Sequence, residues 1–307
     1  MKNKHLSVGM AVLLLPQMTN ALDFNIQPRV DVGAVHFEFD QSPIVIGESP
    51  LDATPSRVDG FKLSDTMPFV RGGLTFFVNR FFVDVDVQHA FDGRDTAQFT
   101  TSGIIDTGAF AVADNRITSD FHRFEFAVST GYAVTEHLVL FAGYKRAESN
   151  FDNDLQGELN FPVTPELNGS VSGNYEVDFI YDGAFVGAAN TWDIQGDFIE
   201  GGLTANVGVA FLDGKTRLRF GDFLLNNGLG QDISLPSTSV DRLFATSDLK
   251  GDTIGVSLGL KWFGFTPLKG FTYSLGVNGY RYDFDGKNTA DFTDTLVRFS
   301  AGVQYLF

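Results

Sequence analysis

Residues 295–307 divide cleanly by parity. Val297, Phe299, Ala301, Val303, Tyr305 and Phe307 are apolar, whereas Arg298, Ser300, Gly302, Gln304 and Leu306 between them are mostly small or polar. A period of two with unlike sides marks a β-strand whose two faces meet different surroundings. The pattern recurs. Val70, Gly72, Leu74, Phe76 and Val78 face away from Phe69, Arg71, Gly73, Thr75 and Phe77; Phe81, Val83, Val85 and Val87 alternate with Phe82, Asp84, Asp86 and Gln88. Phe124, Phe126, Val128, Thr130 and Tyr132 oppose Arg123, Glu125, Ala127, Ser129 and Gly131, and similar alternation runs through 203–211 and 253–262. A chain of such segments is all-β.

The mean hydropathy is +0.01, close to that of a soluble protein. A transmembrane barrel averages to the same value, because lipid-facing and lumen-facing residues alternate along each strand. Beyond residue 21 no stretch approaches the roughly 20 apolar residues of a membrane-spanning helix. The closing segment, with Tyr305 two positions before a final Phe307, resembles the terminal strand of bacterial outer-membrane β-barrel proteins, whose last residue is typically Phe. The resemblance implies that Phe299, Val303, Tyr305 and Phe307 carry the signal read by the barrel-assembly machinery. It also implies a Gram-negative outer membrane as the location, with outer-membrane lipid and lipopolysaccharide as surroundings.

The amino terminus fits export to that membrane. Lys2, Lys4 and His5 precede an apolar run at 6–15, and Thr19-Asn20-Ala21 offers a small-residue cleavage site. The expectation is a signal peptide at 1–21 and a single barrel domain at 22–307. With no Cys in the chain, disulfides, thiolate metal sites and lipid attachment to cysteine are excluded.

Counting alternating segments and turn signals gives ten strands in an antiparallel, up-and-down transmembrane β-barrel. Short turns at Asn79-Arg80, Val134-Thr135-Glu136, 193–201 and Pro267-Leu268-Lys269-Gly270 belong on the periplasmic side, and long loops near 41–66, 92–118, 149–182, 222–250 and 285–294 belong outside. Twelve strands, with an extra hairpin inside 150–225, is the rival count. Three segments resist assignment, the Gly- and Ala-rich sixth strand near Gly183 to Trp192 most of all. Pro28 and uneven alternation from Val30 to Phe39 blur the first strand, and both faces of 137–148 are mixed. Phe81, Tyr132, Trp192, Trp262, Phe271, Tyr273, Tyr305 and Phe307 fall near the short turns, as an interfacial aromatic belt would.

On this parity Arg71, Asp84, Asp86, Arg123, Glu125, Lys261 and Arg298 point into the lumen. They are the candidate site: either contacts for passing solutes or salt bridges that fill a small barrel. Ten strands lie just above the eight whose interior side chains fill, and inward Gly73, Gly131, Gly208, Gly255, Gly259 and Gly302 free volume. The expectation drawn is a narrow, porin-like channel for small solutes or ions, against the alternatives of a plugged scaffold or a loop-based receptor or adhesion protein.

Other chemistry finds little support. The formal net charge of −16 disfavours nucleic acid, which needs clustered cations. Asp152 to Gly157 starts like a calcium loop, but Val163 stands where the bidentate Glu belongs, so no metal or cofactor is expected. Omptin-class outer-membrane proteases also have ten strands and place carboxylates and a His-Asp pair at the outer rim. Asp84 and Asp86 follow a short turn, at the opposite end; His89 sits on the other face from Asp86, and Ser119, Asp120 and His122 are too local for a nucleophile and base. No enzymatic activity is expected on these residues.

Overall fold

The computed structural model describes residues 24–46, 56–104, 110–195, 200–227, 229, 231–235, 248–266, 270–286 and 291–305. The expected signal peptide at 1–21 and the terminal Leu306 and Phe307 lie outside these. In chain order the strands are β1 (Phe24–Gln41), β2 (Ile44–Ile46), β3 (Ser56–Val58), β4 (Phe61–Val78), β5 (Phe81–Ile104), β6 (Phe110–Ala133), β7 (Leu138–Asn160), β8 (Gly169–Gln195), β9 (Glu200–Asn227), β10 (Gln231–Leu235), β11 (Asp248–Phe265), β12 (Phe271–Gly286) and β13 (Phe292–Tyr305). Ten of them pair with sequential neighbours in one antiparallel ring, which β1 and β13 close from Arg29↔Gln304 to Gln41↔Phe292. Closure leaves no unpaired edge for hydrocarbon to meet.

The stagger of the ring is set by the register. Following Cα partners from Arg29 through Gly73, Asp86, Ala127, Lys145, Gly183, Leu212, Thr253, Phe284 and Phe292 returns to β1 at Gln41, twelve residues further on. That offset over ten strands corresponds to a tilt of about 40°. Short turns join the strands at one end. Asn79, at φ 56, takes the left-handed conformation that Asn tolerates, in the two-residue link between β4 and β5. Thr135 Oγ1 accepts from the backbone N–H of His137 and Leu138 between β6 and β7.

The wall changes character along its height. Next to the short turns the outer face is apolar for about ten residues per strand, the length of a tilted membrane crossing. Val32, Val83, Leu140, Val186, Val207, Leu258, Phe299 and Val303 are exposed there. An aromatic belt borders it, with Phe81 on Tyr132 at 4.9 Å, Trp262 against Tyr273 at 5.2 Å and Phe271 on Tyr305 at 4.6 Å. Farther from the turns polarity inverts. On β1, the polar Arg29 and Asp31 point in below Val35, Phe37 and Phe39, which also point in but are apolar, while His36 and Asp40 are exposed.

This inversion explains why the segments at 92–118, 149–182 and 222–250 looked like loops. The first two are largely strand, and 222–250 is strand at 222–227, 231–235 and 248–250 among its described residues: β5 to β9 run 23 to 28 residues each, against 14 to 18 for the other five barrel strands. Their outer parts form a wall roughly 10 to 14 residues tall past the apolar band, on the order of 40 Å along the strand. Among the described residues the 150–225 region holds no extra barrel hairpin; it is the end of β7, a short connection, and then β8 and β9. Asp152, Asp154 and Gln156 share one outward face of β7 but are strung about 7 Å apart along an extended strand, so their oxygens do not converge as a calcium loop requires.

At the seam between β1 and β13 the strands approach closely. A Cβ on Gly33 would collide with the Phe299 carbonyl, whereas one on Gly72 would meet nothing within 4 Å. Gly33→Val is therefore expected to lower the unfolding free energy of the detergent-solubilised barrel by about 1–3 kcal/mol, with Gly72→Ala near neutral, as read by urea titration of far-UV circular dichroism.

Candidate functional site

Inside the ring the side chains sort into three layers. Nearest the short turns is a cavity of about 390 Å³ whose lining includes Gln27, Arg29, Arg71, Asp84, Asp86, Asn206, Ser257, Lys261, Asn278 and Gln304, with Phe77, Phe141, Phe185 and Phe263. β4 and β5 present Arg71, Asp84 and Asp86 from adjacent rows, and β1 brings Arg29 between them. Arg29 forks across the carboxylates, 2.6 Å from Asp84 Oδ1 and 2.7 Å from Asp86 Oδ2, while Arg71 Nε donates to Asp86 at 2.8 Å. Such charge-assisted forks fix geometry as well as charge. Lys261 stands 3.6 Å from the buried Asp31.

The second layer is a buried ion cluster. Glu125 accepts from Arg123 at 2.9 Å, Lys145 at 3.0 Å and Arg298 at 3.3 Å. Arg123 also reaches Asp294 at 3.3 Å and donates to Ser149 at 2.7 Å. Tyr181 donates to Asp294 at 3.0 Å, and Lys145 donates to the Tyr282 hydroxyl at 2.6 Å. The cations also lie over rings, Lys145 4.7 Å from the Tyr280 centroid and Arg298 4.9 Å from the same ring, which recovers part of the hydration they lose.

Above it sits a dry aromatic layer. Phe37, Phe39, Phe121, Phe151, Phe179, Phe284 and Phe292 come from six strands and meet in the middle, with centroids 5.3 Å apart for Phe39 and Phe151, 4.6 Å for Phe179 and Phe292 and 4.3 Å for Phe284 and Phe292. Met67, Leu63 and Leu296 fill the gaps. Solvent reaches the first layer, where the Arg71 and Lys261 side chains are 24% and 26% exposed, and stops at the second, where Arg123 is 1% and Arg298 2% exposed.

All seven candidate residues lie on the inner face, divided between two layers: Arg71, Asp84, Asp86 and Lys261 in the cavity, Arg123, Glu125 and Arg298 in the buried cluster. Arg29, Asp31, Lys145, Tyr181, Tyr282 and Asp294 were missed. Gln27, Arg29 and Asp31 alternate with Ile26, Pro28, Val30 and Val32 in the sequence, so a shorter window on β1 would have found them. Of the residues expected to carry an assembly signal, Phe299 and Val303 face outward and are more than half exposed, and Tyr305 packs on Phe271. At the outer boundary His89 and His122 stand 6.1 Å apart, and among the described residues no histidine ring is bonded to a carboxylate; His36 Nδ1 pairs with Thr66 Oγ1 at 3.1 Å. Nor do three or more His, Asp or Glu residues converge as metal ligands among the described residues.

No protein-family model and no curated protein matches the chain. Solved structures do. The outer membrane protease OmpT of Escherichia coli aligns over 94% of this chain and 99% of its own, at 12% identity and a TM-score of 0.57. Ail, the attachment invasion locus protein of Yersinia pestis, covers 91% and 99% at 10% identity and 0.27, and a FadL homologue of Pseudomonas aeruginosa 92% and 90% at 9% and 0.23. The fold is that of a Gram-negative outer-membrane β-barrel.

Glu125 is the carboxylate on which three buried cations depend. Glu125→Gln is expected to destabilise the barrel by about 3–5 kcal/mol, because it strands charge in the interior, whereas breaking the exposed Arg281–Asp283 pair with Arg281→Ala changes stability by less than about 1 kcal/mol. Urea midpoints of the two purified variants check the contrast.

Proposed function

We propose that this protein is a sealed outer-membrane barrel whose work is done by the tall wall it raises outside the membrane, as a surface for recognising a macromolecular partner. The observation that carries the reading is the filled middle of the lumen, where Phe37 is 1% and Leu296 0% exposed just beyond the ion cluster. The narrow-channel reading needs a continuous wet path. Among the described residues the water-accessible cavity ends at Glu125 and Arg298, and the layer beyond it is packed ring against ring, with inward polar groups such as Ser119 and Asn153 buried beside it.

The wall supplies the other half of the reading. Its outward positions are polar and charged: Arg116 and Asp120 on β6, Glu148, Asp152 and Asp154 on β7, Glu176 on β8, Lys215, Arg217 and Arg219 on β9. Several are tied in cross-strand pairs, Arg219 to Glu176 at 2.8 Å and Lys215 to Asp182 at 3.6 Å, which stiffens an exposed sheet at little net energy. A rigid face of this kind suits binding more than gating. The barrel itself is placed by outer-membrane lipid and lipopolysaccharide, and the barrel-assembly machinery inserts it. Likeness to OmpT is one of fold and brings no site residues with it.

Planar-bilayer recording tests the seal. The native protein is expected to pass no unitary current, and removing Phe37, Phe39, Phe151 and Phe292 together as alanines is expected to open one; ohmic conductance in the native protein overturns the proposal.

A further inference from the structure

The lipid-facing wall is not uniformly convex. Across β6 to β9, close to the short turns, lies a groove of about 710 Å³ bordered by Phe81, Tyr132, Leu140, Val186, Val207 and Val209, with Thr130, Ala142 and Ala188 leaving it open. The outline follows from the register. Tyr132, Leu140, Ala188 and Val207 form one row of cross-strand partners, and Thr130, Ala142, Val186 and Val209 the next. The small residues therefore fall side by side and larger ones flank them. Its lining is almost wholly apolar, and it opens sideways into the band where the solvent is hydrocarbon.

At the short-turn end of the groove stands a cation. Arg80 directly precedes Phe81, whose ring packs on Tyr132 at 4.9 Å, and its carbonyl accepts from Ala133 N–H at 2.9 Å, which pins it beside that rim. Arg80 is the one Lys or Arg among the described residues of the short turns, and no described carboxylate pairs with it. A positive charge at headgroup level with an apolar groove running from it into the bilayer matches an anionic lipid, phosphate at one end and acyl chain behind. A second copy of the chain fits less well, since a two-fold contact would set one groove against the other and leave both unfilled.

We propose that this groove holds an acyl chain of an anionic glycerophospholipid from the leaflet on the short-turn side, with its phosphate on Arg80. The inference rests on the barrel spanning a membrane, and is independent of whether the lumen conducts.

Native mass spectrometry of the full-length protein, folded in mild detergent with phosphatidylglycerol or with phosphatidylcholine of the same chains, tests it. Retained phosphatidylglycerol is expected on the native protein, with phosphatidylcholine held about fivefold less, the worth of one cation near the surface. Arg80→Gln should erase that difference. Ala142→Phe with Ala188→Phe should reduce retention of both lipids about tenfold, and Val32→Phe, on the lipid face of β1, should not. Far-UV circular dichroism reports whether each variant folds, and Arg80→Gln decides the matter if the double variant does not. Equal retention of the two lipids by the native protein overturns the proposal, as do undiminished retention in the folded double variant and a dimer that the double variant abolishes.

Discussion

Every strand of this barrel must satisfy two solvents in succession. In the membrane no water is present to pair with backbone N–H and C=O, so all ten strands are bonded on both sides and the ring shuts between β1 and β13. Within that band the outward side chains must be apolar, and polar groups retreat inward. Past the band the surroundings become water and the requirement reverses: apolar side chains turn in, charges turn out. A strand such as β7 obeys both rules without a break, presenting Leu140 and Tyr144 to lipid and then Arg146, Glu148 and Asp152 to water on the same face. The layers of the interior follow from this one change of solvent.

Where the two regimes meet, the interior passes from polar to apolar, and the ion cluster sits at that junction. Taking Arg123, Lys145 and Arg298 out of water would each cost several kcal/mol if they were alone. Glu125 and Asp294 supply two opposing charges, and Ser149, Tyr280 and Tyr282 supply hydroxyls. The net gain from such a network is small. Its stronger effect is on specificity, because the three cations from β6, β7 and β13 reach one carboxylate only in a single register. Aromatic packing directly above excludes the water that would otherwise weaken it.

This inversion also sets what could be read from the sequence. Strands whose alternation stays in one regime, such as β13 from Val297 to Tyr305 and the first half of β5, were legible with their inward residues Arg298, Asp84 and Asp86. Strands that cross the border were legible only below it. On β8 the apolar set moves from even positions (Ala184, Val186, Ala188) to odd ones (Val177, Phe179, Tyr181), and a search for one constant apolar face ends there and reports a loop. Two bulges add to this: the step between Ala90 and Gly93 on β5 and that between Gly173 and Tyr175 on β8 each shift the pairing register. Partnerships such as Arg298 with Glu125, 173 residues apart, depend on ring closure, which no local pattern encodes.

Barrel geometry leaves the interior free to vary, and that freedom separates fold from activity. The likeness to OmpT holds at 12% identity, so it is one of fold and not of side-chain chemistry. In this chain the inward positions that a pore would keep wet are occupied by phenylalanine, and inward glycines such as Gly187 and Gly255 seat rings, Phe141 and Tyr282, where a Cβ would stand in the way. Other inward glycines seat polar groups, Arg29 at Gly73, Asn278 at Gly259 and Asp31 at Gly302. Much of the volume that glycine frees is thus taken up by neighbouring side chains, which is why the proposed recognition surface is sought on the outward faces of β5 to β9.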